Sequence, residues 1–284
     1  MPEQSAPAPS SIVICGKGRI ATFALSTTVH YVRSQGLPTR VLAAANADDR
    51  GYDGWQPSLV RAAAQLDVEC VAVADVIGEP DLVLVSLEYD RLIKVREFAS
   101  RRLYNVHFSR LPQYRGVYTS IWPLLNGESC VGVTLHFMDD GADTGPVIAQ
   151  RVFPVPAYLT ARQLYDRYND EGLELFREWL PRLLTGIPDS TAQAESGASV
   201  YTRRSLDLRS VEIDLSWPAV RVERFVRAMA FPEYQLPTLG GRAVRACSIL
   251  PGATDASPGS VMHASPYSTS FAAGDGRIVE LVWA

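Results

Sequence analysis

Three short runs, Ser11-Ile12-Val13-Ile14-Cys15, Thr39 to Ala45 (TRVLAAA) and Asp81 to Ser86 (DLVLVS), are apolar on both faces. Helical sequence lies between them. A strand with no polar face must be covered on both sides, which is the situation of a mostly parallel sheet between helix layers in an α/β fold. The segment after Gly16 predicts a helix through Ser34, and Pro57 to Leu66 a second, with Pro57 at its N-terminal position and an Ala-rich body. Leu103–His107 and Val131–Phe137 read as further strands. The clearest helix is 160–184, where Thr160 is placed as N-cap and Leu164, Tyr168, Leu175, Phe176 and Trp179 form an apolar face.

At 284 residues the chain is long enough to bury a core without disulfide or metal staples, as one large domain or one with a smaller companion. Residues 1–10, rich in Pro, Ala and Ser, are expected to be disordered, and 11–190 to form the α/β domain. A Gly/Ser/Thr/Ala/Pro-rich stretch, Thr185–Ser199, reads as a linker. Residues 191–284 then hold that linker and a small, mostly β domain, with a helix over Pro218–Met229 and strands at RAVRACSIL and RIVELVW. Cys15, Cys70, Cys130 and Cys247 lie far apart, which excludes a CxxC metal site and a disulfide scaffold and fits reduced thiols. No apolar run reaches the ~18–20 residues of a membrane span, and the opening MPEQSAPAPSS lacks a charged leader. A net charge of −4 argues against a general nucleic-acid binder. The expectation is a soluble, cytoplasmic enzyme.

Gly16-Lys17-Gly18-Arg19-Ile20-Ala21 fits G-x-G-x-x-A after a strand, the loose form of a dinucleotide turn. The ribose-binding acid expected about twenty residues on is missing, and Asp48 and Asp49 lie too far along. The favoured reading is a plain strand-to-helix turn, with Lys17 or Arg19 as candidate phosphate contacts.

The chemistry-bearing stretch is Asn105 to Gly116 (NVHFSRLPQYRG), followed by Gly132-Val133-Thr134-Leu135-His136 and Asp139-Asp140-Gly141-Ala142-Asp143-Thr144-Gly145. Asn105 and His107 are two apart on a strand, so both project to one face. An amide and an imidazole aimed at one point can polarise a carbonyl and handle a proton. Asp143, in a Gly-flanked loop, is the candidate carboxylate to orient that imidazole and favour its cation. His136 reads as a supporting residue rather than a second base. Trp217, Phe231 and Tyr234 read as core more readily than as a stacking platform.

Asn-x-His, Leu-Pro-x-Tyr-Arg-Gly, Gly-Val-Thr-x-His and Asp-x-Gly-x-Asp-x-Gly, in that order, resemble the folate-dependent formyltransferases, densely from about residue 81 to 153 and more thinly to about 235. The resemblance implies a Rossmann-like catalytic domain, 10-formyltetrahydrofolate as formyl donor, no metal, and a primary amine as acceptor. It implies a catalytic trio of Asn105, His107 and Asp143: the first two stabilise the oxyanion of a tetrahedral intermediate, while Asp143 supports His107 and helps take the amine's proton. It also implies that the pterin meets main chain at Leu87, Glu88 and Tyr89 and at Met138, Asp139 and Asp140. Ser109, Tyr114 and Arg115 are candidate substrate contacts, with bracing of the site wall as their other reading.

Three acceptor classes compete. The run Tyr118–Pro123 and the run Arg224–Pro232 look most like the nucleotide-sugar N-formyltransferases, which implies an amino-dideoxyhexose carried on dTDP, or on GDP. Methionyl-tRNA is the second class, since Pro258-Gly259-Ser260 to Asp275-Gly276-Arg277 resembles the C-terminal module of its formyltransferase. Charge counts against it: Tyr201–Ala284 holds nine Arg, no Lys and eight acids, a net of +1. A hydroxyornithine-like amino acid is the third. The expected partners are therefore folate and a nucleotide sugar, with no membrane and no nucleic acid, and a homodimer is left open.

Overall fold

The computed structural model describes residues 8–284. Residues 1–7 of the expected disordered terminus lie outside the described residues. Residues 8–10 are held rather than loose: Pro9 is buried, its carbonyl accepts from Thr39 Oγ1 at 2.8 Å, and the Ser10 carbonyl accepts from Arg40 N–H at 3.0 Å.

In chain order the elements are β1 (Ser11–Gly16), α1 (Gly18–Ser34), β2 (Arg40–Ala45), α2 (Leu59–Leu66), β3 (Glu69–Cys70), β4 (Leu82–Leu87) and β5 (Arg102–His107). Then come β6 (Arg115–Gly116), α3 (Trp122–Asn126), β7 (Cys130–Phe137), β8 (Val147–Pro154), α4 (Ala161–Thr185) and β9 (Val200–Tyr201). The chain ends with α5 (Ala219–Met229), β10 (Thr238–Leu239), β11 (Arg242–Ala253), β12 (Val261–Ala264), β13 (Ser268–Ala272) and β14 (Arg277–Trp283). Contacts divide the chain into two interleaved units rather than at a single boundary near 190. One comprises residues up to Arg115, Gly132–Val152 and Tyr168–Val200; the other comprises Gly116–Val131, Phe153–Arg167 and Tyr201–Ala284.

The first unit is built on a seven-stranded sheet of order β3-β2-β1-β4-β5-β7-β8. The pairs β1–β2, β1–β4, β2–β3 and β4–β5 are parallel, and β5–β7 is antiparallel. The sheet is thus mostly parallel, as the two-faced apolar runs require: every residue of β1 and of β4 is buried. At ~1.5–3 kcal/mol for each large aliphatic side chain removed from water, these strands supply much of the folding drive. Along α1, Ile20, Ala24, Thr28 and Val32 recur every fourth position and are buried. Asn169 on α4 caps that helix, its Oδ1 accepting Ile20 N–H at 3.1 Å.

The Gly-rich turn serves packing. A Cβ on Gly16 would stand 1.8 Å from the Leu87 carbonyl oxygen, which already accepts Lys17 N–H at 3.2 Å, so only glycine lets β1 and β4 end side by side. Arg19 pairs with Asp170 at 2.8 Å on the surface instead of facing a phosphate site.

Helix α2 begins at Leu59, two residues later than its Pro57 suggested. Ser58 is the N-cap, its hydroxyl accepting from Arg61 N–H. Asp49 reaches the same terminus, taking Leu59 N–H at 2.7 Å and Val60 N–H at 3.2 Å on one oxygen and Gly51 N–H at 2.9 Å on the other. Burial by itself pushes this carboxyl up, but hydrogen bonds from Ser58, Gly51, Val60 and Leu59 together hold it below the usual range. A carboxyl depressed by folding stabilises the native state above its unfolded pKa, and that contribution is lost as pH falls through the folded value. Asp49→Ala is therefore expected to cost about 1–2 kcal/mol at neutral pH. Urea unfolding should show this deficit shrinking below about pH 4, the range of an unfolded Asp; an equal deficit at pH 7 and pH 3 would contradict the assignment.

The second unit carries a five-stranded sheet, β10-β11-β14-β13-β12, in which every registered pair is antiparallel. Helix α5 covers it with Ala219, Val222 and Val226, packed among Val244, Phe271, Val279, Leu281 and Trp283. Strands β12 and β13 occupy the stretch between the two expected C-terminal strands; β12 is only four residues, Val261–Ala264, and is exposed throughout. Trp217 packs edge-on to Phe225 at 5.2 Å, and buried Phe231 lies against Tyr165 at 5.6 Å, so these two belong to the packing of this unit; Tyr234, 4.9 Å from Phe231, is exposed rather than core, because packing against Phe231 leaves 58% of it in water. Thr160 and Gln163 form a reciprocal cap at the start of α4: Thr160 N–H donates to Gln163 Oε1 at 3.0 Å, and Gln163 N–H to Thr160 Oγ1 at 3.3 Å. Among the described residues no helix is long and apolar enough to cross a membrane.

Candidate active site

The site forms within the first unit, at the carboxyl end of β5. Antiparallel register sets Asn105 opposite His136 and His107 opposite Thr134. Directly opposed residues share a face of the sheet, so β5 and β7 together present Asn105, His107 and His136 on one side. Asp143 arrives from the loop after β7, in left-handed backbone at φ +55°. That loop is drawn tight by Asp139, whose carboxylate takes Gly141 N–H at 3.0 Å and Thr144 Oγ1–H at 2.7 Å. A Cβ on Gly145 would lie 1.8 Å from the Phe137 carbonyl, so the loop closes back on β7 only with glycine there.

Four polar side chains meet here. His107 Nδ1 stands 3.5 Å from Asp143 Oδ1, and His136 Nε2 stands 3.6 Å from the same oxygen. Asn105 Nδ2 donates to Asp143 Oδ1 and to His136 Nε2, each at 3.2 Å. Carbonyl partners settle the ring protons, because a carbonyl only accepts. His107 Nε2–H donates to the Tyr114 carbonyl at 2.9 Å, which turns Nδ1 toward Asp143. His136 Nδ1–H donates to the Phe137 carbonyl at 2.7 Å, which leaves Nε2 as the acceptor for Asn105. Both histidines are buried, while Asn105 and Asp143 are partly exposed. A carboxylate and an amide thus face the accessible side, backed by two oriented imidazoles. His136 is more than background support: it fixes one of the two Asn105 N–H groups.

The three candidate substrate contacts fall elsewhere. Ser109 is 1% exposed and donates its hydroxyl to the Gln113 carbonyl at 2.7 Å. Arg115 is 5% exposed and places Nε and Nη2 on Gln193 Oε1 at 3.0 and 2.9 Å. Tyr114 is buried, and it serves through its carbonyl on His107. The Ser109 hydroxyl and these two Arg115 nitrogens are thus engaged by the Gln113 carbonyl and by Gln193, which is the bracing arrangement. Gln193 and Ser199, which carry no motif and lie in the supposed linker, join the network instead; their composition gave no signal.

The two segments expected to meet a pterin share one apolar cluster. Tyr89 and Met138 both pack against residues that include Leu84, Ile93, Phe98 and Leu103. Asp140 reaches across to Arg96 N–H at 3.4 Å. Some main-chain groups here are already committed: the Leu87 carbonyl to Lys17 N–H, the Glu88 carbonyl to Asn46 Nδ2–H, and Met138 N–H to the Leu103 carbonyl. Apolar walls flanked by the main chain of 87–89 and 138–140 suit a flat heterocycle with an amide-like edge.

A family profile described as Formyl transferase matches residues 24–180, more than half of the chain and all four site residues. The chain belongs to the formyltransferase family. Methionyl-tRNA formyltransferase of Myxococcus xanthus is 30% identical over 204 residues, covering 71% of this chain and 64% of that protein. GDP-perosamine N-formyltransferase of Brucella melitensis is 35% identical over 158 residues, covering 55% and 59%. The match spans less than two thirds of the length of these curated relatives. The solved N-formyltransferase of Helicobacter canadensis, in complex with folinic acid and dTDP-3-aminofucose, has a TM-score of 0.87 at 29% identity, covering 97% of this chain and 100% of that one. The likeness of this formyltransferase to that structure includes the C-terminal antiparallel sheet as well as the α/β part.

Proposed function

We propose that this formyltransferase moves a formyl group from 10-formyltetrahydrofolate to the primary amine of a nucleotide-linked amino sugar, a dTDP-amino-dideoxyhexose in the first instance. The observation that carries this is the likeness over nearly the whole chain to an N-formyltransferase solved with folinic acid and dTDP-3-aminofucose.

The donor supplies a formyl carbonyl; the chain's residues do the rest. Asn105 keeps one N–H on His136 and turns the other, now on Asp143, toward the oxygen on which negative charge develops. His107, held by the Tyr114 carbonyl, adds its charge to that stabilisation while a proton on Nδ1 is shared with Asp143. Asp143 accepts the proton that the attacking amine sheds, directly or through water, and as the bond from the formyl carbon to N10 breaks that proton passes to N10, so that the N-formyl sugar and tetrahydrofolate leave. Hydrogen bonds of this kind are often long before substrate binds, so 3.5 Å between His107 and Asp143 is compatible with the role. Leu87, Glu88, Tyr89, Met138, Asp139 and Asp140 are assigned to the pterin.

The match to a methionyl-tRNA formyltransferase supports the alternative acceptor. The arginines of the C-terminal part speak against it. Arg209, Arg227 and Arg277 are paired with Asp207, Glu223 and Asp275, while Arg221 and Arg242 lie over Trp217 and Trp283. Three of the nine arginines there are thus neutralised by carboxylates, and the nine face eight acids, a net of +1, which is a weak field for a phosphate backbone.

The test is an assay of purified protein with 10-formyltetrahydrofolate and a panel of dTDP- and GDP-linked amino sugars, read by the mass gain of one formyl group. Formylation of methionyl-tRNA, with none of the sugars reacting, would overturn the proposal. Turnover is expected to fall on acidification, because only the neutral amine attacks; a rate rising steadily toward low pH would contradict the mechanism. In a thermal-shift experiment a reduced folate and dTDP should raise the melting temperature and NAD(P) should not, since a ligand stabilises the state that binds it.

A further inference from the structure

The Thr185–Ser199 segment does more than connect. Gln193 Nε2 donates to the carbonyls of Asp143 and Gly145, both at 2.7 Å. Its Oε1 accepts from Arg115 Nε at 3.0 Å and Nη2 at 2.9 Å. Two donors and two acceptor positions are all an amide offers, and here every one is used. The opposite orientation would set oxygen against two carbonyls and NH2 against a guanidinium, so the amide can sit only one way. Other bonds tie the same segment to both walls of the site. Thr191 and Val147 exchange backbone hydrogen bonds at 2.8 Å. Ser199 Oγ accepts Tyr114 N–H at 2.8 Å, the Ser199 carbonyl accepts Arg115 N–H at 2.9 Å, and Ser199 N–H donates to the Pro112 carbonyl at 3.2 Å.

His107 and Asp143 come from different elements, and each is aimed by a loop with left-handed backbone: Tyr114 at φ +59° holds the imidazole, and Asp143 itself lies at φ +55°. Gln193 touches the Asp143 loop at one end of its amide and, through Arg115, the Tyr114 loop at the other. We infer that Gln193, anchored by Arg115, is a positioning residue that sets the His107–Asp143 separation. The inference rests on the formyl-transfer mechanism proposed above.

Kinetics and crystal structures of the wild-type protein, Gln193→Glu and Gln193→Met test it. Glutamate keeps an acceptor for Arg115 but turns a carboxylate on the carbonyls of Asp143 and Gly145; methionine keeps the length and loses both contacts. Because a misplacement of about 1 Å costs roughly 100-fold, kcat is expected to fall by about 30–100-fold in both variants, with KM for the acceptor within about threefold. The Gln193→Glu protein, with Arg115 still partnered, should melt within a few degrees of the wild type, and its crystals should show Asp143 withdrawn from His107. A residue that only braced the fold would lower the melting temperature and leave kcat per folded molecule unchanged. Gln193→Glu with kcat within about threefold of the wild type, against the roughly 100-fold scale above, overturns the inference. So do crystals in which Asp143 has not moved. A wild-type protein that formylates no amino sugar overturns the proposed function instead, and the crystallographic separation still decides the role of Gln193.

Discussion

Replacing His107 with alanine is expected to lower kcat by at least ~100-fold, the scale for loss of an acid–base group or an oxyanion donor. The imidazole bridges the Tyr114 carbonyl and Asp143, through contacts of 2.9 and 3.5 Å. Without it Asp143 keeps its hydrogen bond from Asn105 but has no cation to balance the charge that builds during transfer. The variant should still fold, since the parallel core lies in β1 and β4, away from this side chain. Circular dichroism and a melting curve separate a lost catalyst from a lost fold. The deficit should appear in kcat more than in KM, because the interaction matters where charge develops. Near-normal turnover of folded His107→Ala would remove His107 from the mechanism, and the trio with it.

Asn105→Asp should do comparable damage, at least ~100-fold in kcat, although it changes the shape of the side chain hardly at all. The reason is electrostatic. Asn105 Nδ2 lies 3.2 Å from Asp143 Oδ1, and a carboxylate oxygen in its place meets a like charge at that distance. With an effective dielectric of about 20, the repulsion is about 5 kcal/mol. Either one carboxyl takes up a proton, which is then held between the two oxygens, or the two move apart; in neither case is an amide N–H left for the formyl oxygen. The donor to His136 Nε2 is lost as well, while that ring keeps its bond to the Phe137 carbonyl. Asn105→Ala removes the donors without adding charge, so the aspartate variant should be no faster than the alanine one. Turnover of Asn105→Asp within a few-fold of the wild type would show that this amide faces no developing negative charge.

Much of the first unit was legible because burial writes itself into composition. The runs at 11–15 and 81–86 are apolar on both faces, and only a covered sheet accommodates that, so β1 and β4 sit where the residues place them. Asn105 and His107 could be put on one face from strand alternation alone. Strand order and sense were another matter: β7 lies antiparallel to β5, and nothing local to Val131–Phe137 encodes its direction. Strand β12 went unread because four residues at a sheet edge are too short a run to show an alternation.

The candidate site divides in the same way. The types and spacing of Asn105, His107 and Asp143 were enough to nominate them, because few residue types can polarise a carbonyl and handle a proton. What the sequence alone could not supply was the company they keep. His136 faces Asn105 only because the β5–β7 register pairs them, and a register one residue different would turn the imidazole to the other side of the sheet. Ser109 and Arg115, candidates from their motif, turned out to be buried and engaged with Gln113 and Gln193. Gln193, in a stretch whose composition signals only a linker, became the residue that touches both walls. Local chemistry is written along the chain and determined which groups can act; distance between groups far apart in sequence is set by packing and register, and the tertiary structure alone decided which of them meet.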